Sequence, residues 1–125
     1  MLKVKDVMVK DVITIDPEST LADAIKILIS KKISGMPVVD ANGEMVGLIS
    51  EKDILNCIFS GNLNNTRVKD VMTRNVVSFP LDTDVDKVAL AIGERQFRRV
   101  PIVDKGKVVG IVSRRDIIKI ALPIE

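Results

Sequence analysis

The chain has 125 residues, 46% of them apolar and 29% charged, with a net charge of +2. So small and evenly mixed a charge gives no mark of a nucleic-acid binder, and the absence of histidine excludes Ser-His and Cys-His nucleophile pairs together with His-based metal sites. The lone Cys57 excludes an internal disulfide and a thiolate zinc cluster, no apolar run reaches the ~18 residues of a membrane span, and no apolar signal core follows Met1, so a soluble cytoplasmic protein is expected.

In chain order the first feature is Val4-Lys5-Asp6-Val7-Met8, a short helical turn, which returns unchanged as Val68-Lys69-Asp70-Val71-Met72. Val12 to Ile15 reads as a β-branched strand ended by Asp16-Pro17, answered by Val76 to Phe79. An amphipathic helix follows, with Leu21, Ala24, Ile25 and Leu28 on one stripe and Thr20 and Asp23 as an N-cap pair. Its twin has Asp84 as cap and Val85, Val88, Ala89 and Ile92 on the stripe. Strands at Pro37 to Asp40 and Met45 to Ile49 are joined by Ala41-Asn42-Gly43-Glu44, where Asn-Gly predicts a hairpin turn. Lys105-Gly106 takes that place between Pro101-Ile102-Val103-Asp104 and Val109-Gly110-Ile111-Val112. Helices start at Ser50 and Ser113, and Asn56 to Thr66, with Gly61, reads as a helix end plus connector.

The prediction is an α+β fold of two βαββα repeats, residues 1–60 and 61–125, packed as a pseudo-twofold pair. A half of roughly sixty residues buries only a modest core alone. Surface left exposed by the pair is suited to homodimer formation.

Two segments carry candidate chemistry. Gly47-Leu48-Ile49-Ser50-Glu51-Lys52-Asp53 and Gly110-Ile111-Val112-Ser113-Arg114-Arg115-Asp116 each end a strand and open a helix. There a seryl hydroxyl and free amides can meet a phosphate, and a carboxylate can accept from both hydroxyls of a ribose. The alternative is a capping box, in which Ser binds the N3 amide and Asp reaches back. Arg98-Arg99 offers multidentate contacts to phosphate, or else is solvated or pairs with acids across a dimer interface. Asp82, Asp84 and Asp86 open a helix, where acidic residues are expected without any cation.

The paired Pro37-Val38-Val39-Asp40 and Pro101-Ile102-Val103-Asp104 strands, the two Gly-x-x-Ser-x-x-Asp segments and the order of elements resemble the CBS-domain pair, or Bateman module, over about Val4 to Ile120. The resemblance leaves no room for a catalytic domain in this chain and implies a regulatory module, not an enzyme. It needs no cofactor and binds an adenine nucleotide or S-adenosylmethionine in clefts between the repeats. It also implies a flat dimer and a regulated protein partner. Carried over by position, one site combines Met8, Ile13, Ile33, Ser34 and Gly35 with Ile111, Ser113 and Asp116. The other combines Met72, Val77, Phe97, Arg98 and Arg99 with Leu48, Ser50 and Asp53; Phe97 either flanks an adenine ring or belongs to the core, as Ile33 does. The Asp53 site, with its arginine pair, is the one suited to a phosphorylated ligand. Two rival readings stand beside this one: a ligand-free protein adaptor, and a nucleic-acid binder using Arg67, Lys69, Arg74, Arg98 and Arg99.

Overall fold

The computed structural model describes residues 2–59 and 62–122; Gly61 of the expected connector lies outside them. Thr20 and Asp23 form the predicted capping box, the Asp23 amide donating to Thr20 Oγ1 at 3.1 Å. The helix it starts, α1 (Leu21–Lys31), buries Leu21, Ala24 and Leu28 on the stripe that the spacing predicted. Lys32 then closes it in the left-handed region at φ 55°. Strands β1 (Gly35–Val39) and β2 (Met45–Ser50) pair antiparallel, with Gly35 opposite Ser50 and Val38 opposite Gly47. They lead into α2 (Glu51–Leu55). A short turn of helix, α3 (Val68–Val71), precedes the second copy: α4 (Val85–Arg95), β3 (Arg99–Asp104), β4 (Lys107–Ser113) and α5 (Arg114–Ile120). In β3 and β4, Arg99 lies opposite Ser113 and Ile102 opposite Gly110.

The two hairpins turn differently. Lys105 and Gly106 both have positive φ, 53° and 82°, as a two-residue turn between paired Asp104 and Lys107 demands. The first loop is one residue longer, and only Gly43 is left-handed there, at φ 82°. The Asp40 carboxylate organises it by accepting from the Asn42 and Glu44 amides at 2.9 and 3.0 Å. Asn-Gly therefore marks the hairpin correctly but does not form the two-residue turn for which that pair is best known.

Two expectations need correction. Val12 to Ile15 and Val76 to Phe79 do not form full strands. A single residue of each, Ile15 or Phe79, bridges in parallel to Val38 or Ile102. Asp84 makes no side-chain cap, because its carboxylate is paired with the Lys3 ammonium instead. That hydrogen bond holds the Asp84 carboxyl below the usual carboxylate range and raises Lys3 above the ordinary lysine value; Asp82 raises Lys5 in the same way.

The chain divides into two compact units, residues 13–59 with 62–76, and residues 2–12 with 77–122. Each unit holds the helix and hairpin of one repeat and the opening segment of the other. Val68, fully buried, joins the core of Leu21, Ala24, Leu28, Met36, Val38, Ile49 and Ile54. Val4, equally buried, joins Val88, Ile92, Val100, Ile102 and Val112. The fastenings match as well. Val68 N–H donates to the Ser19 carbonyl and Val4 N–H to Thr83, both at 2.8 Å. Lys69 pairs with Glu18 and Lys5 with Asp82. Burying a valine is worth about 1.5–3 kcal/mol, more than an exposed ion pair of about 0–1 kcal/mol, so the valine anchors the segment and the lysine sets its register.

Candidate functional site

Each Gly-x-x-Ser-x-x-Asp segment is held from both sides within its own unit. On the hairpin side, Ser34-Gly35 lies against Ser50-Glu51, and Arg98-Arg99 against Ser113-Arg114. The Glu51 amide donates to the Ser34 carbonyl at 2.9 Å, and the Arg114 amide to Arg98 at 3.0 Å. On the open edge of β2, the segment after α3 pairs Thr73 with Leu48 through two backbone bonds of 2.9 Å. On the edge of β4, Val9 pairs with Ile111 at 2.9 and 3.0 Å.

These edge contacts explain the glycines. A Cβ on Gly47 would stand 2.5 Å from Met72 Sδ and 2.8 Å from the Thr73 carbonyl oxygen. A Cβ on Gly110 would stand 2.2 Å from Met8 Sδ. Met72 is buried and Met8 half-buried, so both methionines are packing residues that lie over a glycine of the candidate segment.

The capping reading of Ser-x-x-Asp is met twice. Asp53 Oδ2 accepts from the Ser50 amide at 2.9 Å and from Ser50 Oγ at 3.0 Å, while the Asp53 amide donates to Ser50 Oγ at 3.3 Å. Ser113 and Asp116 repeat this at 2.8, 2.9 and 3.2 Å. The box consumes one carboxylate oxygen of each aspartate. Asp53 Oδ1 accepts from Thr73 Oγ1 at 3.1 Å; Asp116 has Val9, without a hydroxyl, in the matching place. The amides of Glu51, Asp53, Arg114 and Asp116, expected to be free for phosphate, are bound within the protein. The helices they open have five and seven residues, too short for a large dipole.

Among the predicted residues, Ile13, Ile33, Ser34, Gly35, Leu48, Ser50, Asp53 and Met72 belong to one unit. Met8, Val77, Phe97, Arg98, Arg99, Ile111, Ser113 and Asp116 belong to the other. Ile13 and Ile33 pack, partly buried, against the first core, and Phe97 likewise against the second. Arg98 is exposed and Arg99 half-buried. Thr73 was not named from the sequence. Its signal was nevertheless present, because the copies diverge to Thr73 and Val9 directly after an identical pentapeptide.

Comparisons with known proteins place these features. The model of the CBS domain matches residues 4–60 and again 68–122. Inosine-5′-monophosphate dehydrogenase of Methanocaldococcus jannaschii is 36% identical over 118 residues, covering 94% of this chain. The chain spans only 23% of that enzyme's length, and 22% of an L-aspartate semialdehyde sulfurtransferase from the same organism, which is 37% identical. Among solved structures, the CBS-domain pair of protein MJ0100, in complex with 5′-methylthioadenosine and S-adenosyl-L-methionine, is 36% identical with a TM-score of 0.85. It is matched over 96% of this chain and 95% of its own. CBSX2 in complex with AMP, a protein from Arabidopsis thaliana, has a TM-score of 0.89 at 30% identity, over 97% and 96% of the two chains.

Proposed function

This chain belongs to the CBS-domain family as a tandem pair, and from that premise we propose that it is a regulatory module sensing an adenosyl ligand, not an enzyme. AMP, ADP or ATP is the proposed ligand, with S-adenosylmethionine as the related alternative. The observation that carries the reading is the likeness, over nearly the whole of both chains, to CBS pairs solved with AMP and with 5′-methylthioadenosine and S-adenosyl-L-methionine. The local chemistry is compatible with it. The capping boxes leave Oδ1 of Asp53 and Asp116 as carboxylate acceptors outside the box, suited to ribose hydroxyls. Arg98 and Arg99 are the proposed phosphate contacts, a role suited to guanidinium groups because the amides of Glu51, Asp53, Arg114 and Asp116 are engaged within the protein. Ser50, Ser113, Ser34 and Gly35 supply polar and backbone contacts, and Ile13, Ile33, Val77, Phe97 and Ile111 apolar ones. A ligand held there acts on a partner only through its differential affinity for two conformations.

Self-association is the second part of the proposal. Each unit exposes apolar side chains on its helices, Ile29 and Leu55 on α1 and α2, Leu90 and Ile118 on α4 and α5. Ile118→Glu is expected to convert a dimer to a monomer in sedimentation; a wild-type monomer would remove this part. The nucleic-acid reading loses ground. Arg67 donates to the Glu18 carbonyl, Lys69 pairs with Glu18, and Arg74 donates to the Lys69 carbonyl.

Isothermal calorimetry tests the sensing reading. Asp53→Asn keeps an oxygen for the capping box but puts a donor amide where Oδ1 stood. AMP affinity is expected to fall about tenfold at that site with the unfolding midpoint preserved. Wild-type protein that takes up none of AMP, ADP, ATP or S-adenosylmethionine would refute sensing and leave the adaptor.

A further inference from the structure

The two carboxylates are chemically alike and sit in matched capping boxes, yet their surroundings differ at one atom. Thr73 Oγ1 donates to Asp53 Oδ1 at 3.1 Å. Thr73 cannot drift, because its backbone makes two 2.9 Å bonds with Leu48. Val9, the matching residue, is pinned to Ile111 in the same manner but carries a methyl group where Thr73 carries the hydroxyl. Threonine and valine have nearly the same shape, so the difference is one of hydrogen bonding and not of packing.

We propose that Thr73 is the specificity-determining residue that sets the Asp53 site apart from the Asp116 site. The proposal rests on the reading that these carboxylates receive a ribose. With Oδ2 held by Ser50 and Oδ1 by Thr73, the plane of the Asp53 carboxylate is fixed before a ligand arrives. An ordered acceptor saves the ligand the cost of ordering it. The threonyl oxygen, having given its proton to Asp53, also presents its lone pairs beside Oδ1. The two oxygens form adjacent acceptors for the two hydroxyls of a cis-diol. Asp116 lacks this arrangement: among the described residues no side chain donates to its Oδ1, and Val9, in the place of Thr73, brings no hydroxyl oxygen beside it. Thr73 thereby makes the Asp53 site the one that demands an intact ribose.

Calorimetry with AMP and with 2′-deoxy-AMP tests this, the two sites being resolved by weakening the other about tenfold with Asp→Asn. At the Asp53 site, Thr73→Val is expected to weaken AMP about fivefold, or about 1 kcal/mol, while 2′-deoxy-AMP changes by less than twofold. Thr73→Ser restores AMP binding. In the converse experiment, Val9→Thr tightens AMP at the Asp116 site and raises its preference for the ribo form. A structural role would move both ligands together and would appear in the unfolding midpoint. AMP binding that is weakened by Asp53→Asn but untouched by Thr73→Val overturns this inference and leaves the sensing proposal standing. A wild type that binds no AMP overturns both.

Discussion

Gly47→Ala and Gly110→Ala are the same change at matched positions of the two copies, and the structure assigns them different costs. At Gly47 the new methyl would lie 2.5 Å from Met72 Sδ and 2.8 Å from the Thr73 carbonyl oxygen. Met72 is only 8% exposed and cannot leave the core, and the carbonyl is backbone. Relief therefore requires the segment at 72–73 to move outward by several tenths of an ångström. That stretches the paired 2.9 Å bonds between Leu48 and Thr73 beyond the normal range, at about 1 kcal/mol each. Added overpacking of about 1–3 kcal/mol brings the expected loss to about 3–5 kcal/mol. At Gly110 the three nearest atoms all belong to the Met8 side chain, at 2.2, 2.8 and 3.2 Å. Met8 is half-buried and unbranched, so it can change rotamer, and a loss of about 1 kcal/mol is expected. Urea titration followed by circular dichroism is the assay, since the chain has neither Trp nor Tyr. Met8→Ala should recover part of the loss in the Gly110→Ala background. Met72→Ala should not rescue Gly47→Ala, because the backbone oxygen remains. Equal losses for the two alanines, or full rescue by Met72→Ala, would refute the reasoning.

Further outcomes follow from other contacts. Val68→Ala should cost about 2–3 kcal/mol and lower hydrogen-exchange protection in β1 and β2 while sparing β3 and β4, since Val68 lies in the core of the first repeat's hairpin; the reverse pattern would contradict the segment exchange. Gly93, a helical glycine of α4 whose Cβ would meet nothing within 4 Å, should give a protein about 1 kcal/mol more stable as alanine by the same titration. Asp84→Asn should destabilise near neutral pH, and its penalty should depend on pH in a defined direction. The folded Asp84 carboxyl is lowered by Lys3, so its contribution is present above the unfolded value of about 4 and disappears as pH falls through the folded one. Lys3 is raised, so its contribution is complete below about 10.4 and disappears as pH rises beyond that. Unfolding curves near pH 3, 7 and 11 check this; a penalty equal at all three would count against the pair.

Much of the architecture was legible because it depends on neighbours in sequence. Thr20 and Asp23 cap α1, and Ser50 with Asp53 cap α2, because a box needs only residues three apart. The apolar stripe of Leu21, Ala24 and Leu28 is buried as its spacing predicts. Where the reading failed, a distant residue had intervened. Asp84 has the right spacing and chemistry for a cap, but the Lys3 ammonium takes its carboxylate. The strand expected at Val12 to Ile15 has the right composition, but only Ile15 finds a partner in Val38. Thr73 was missed at the candidate site for the same reason, since Asp53 and Thr73 meet only after folding.

The amino-acid sequence alone determined the duplication, the α+β order of elements and the placing of Ser50, Asp53, Ser113 and Asp116 at strand-to-helix junctions. Each of these follows from periodicity or from side chains that reach their own backbone. Only the tertiary structure decided that each repeat's opening valine enters the other repeat's core, that Gly47 and Gly110 are glycines because methionines lie over them, and that one aspartate has a threonine beside it. Those are matters of approach between segments tens of residues apart, and pattern along a chain carries no record of which distant surfaces will touch.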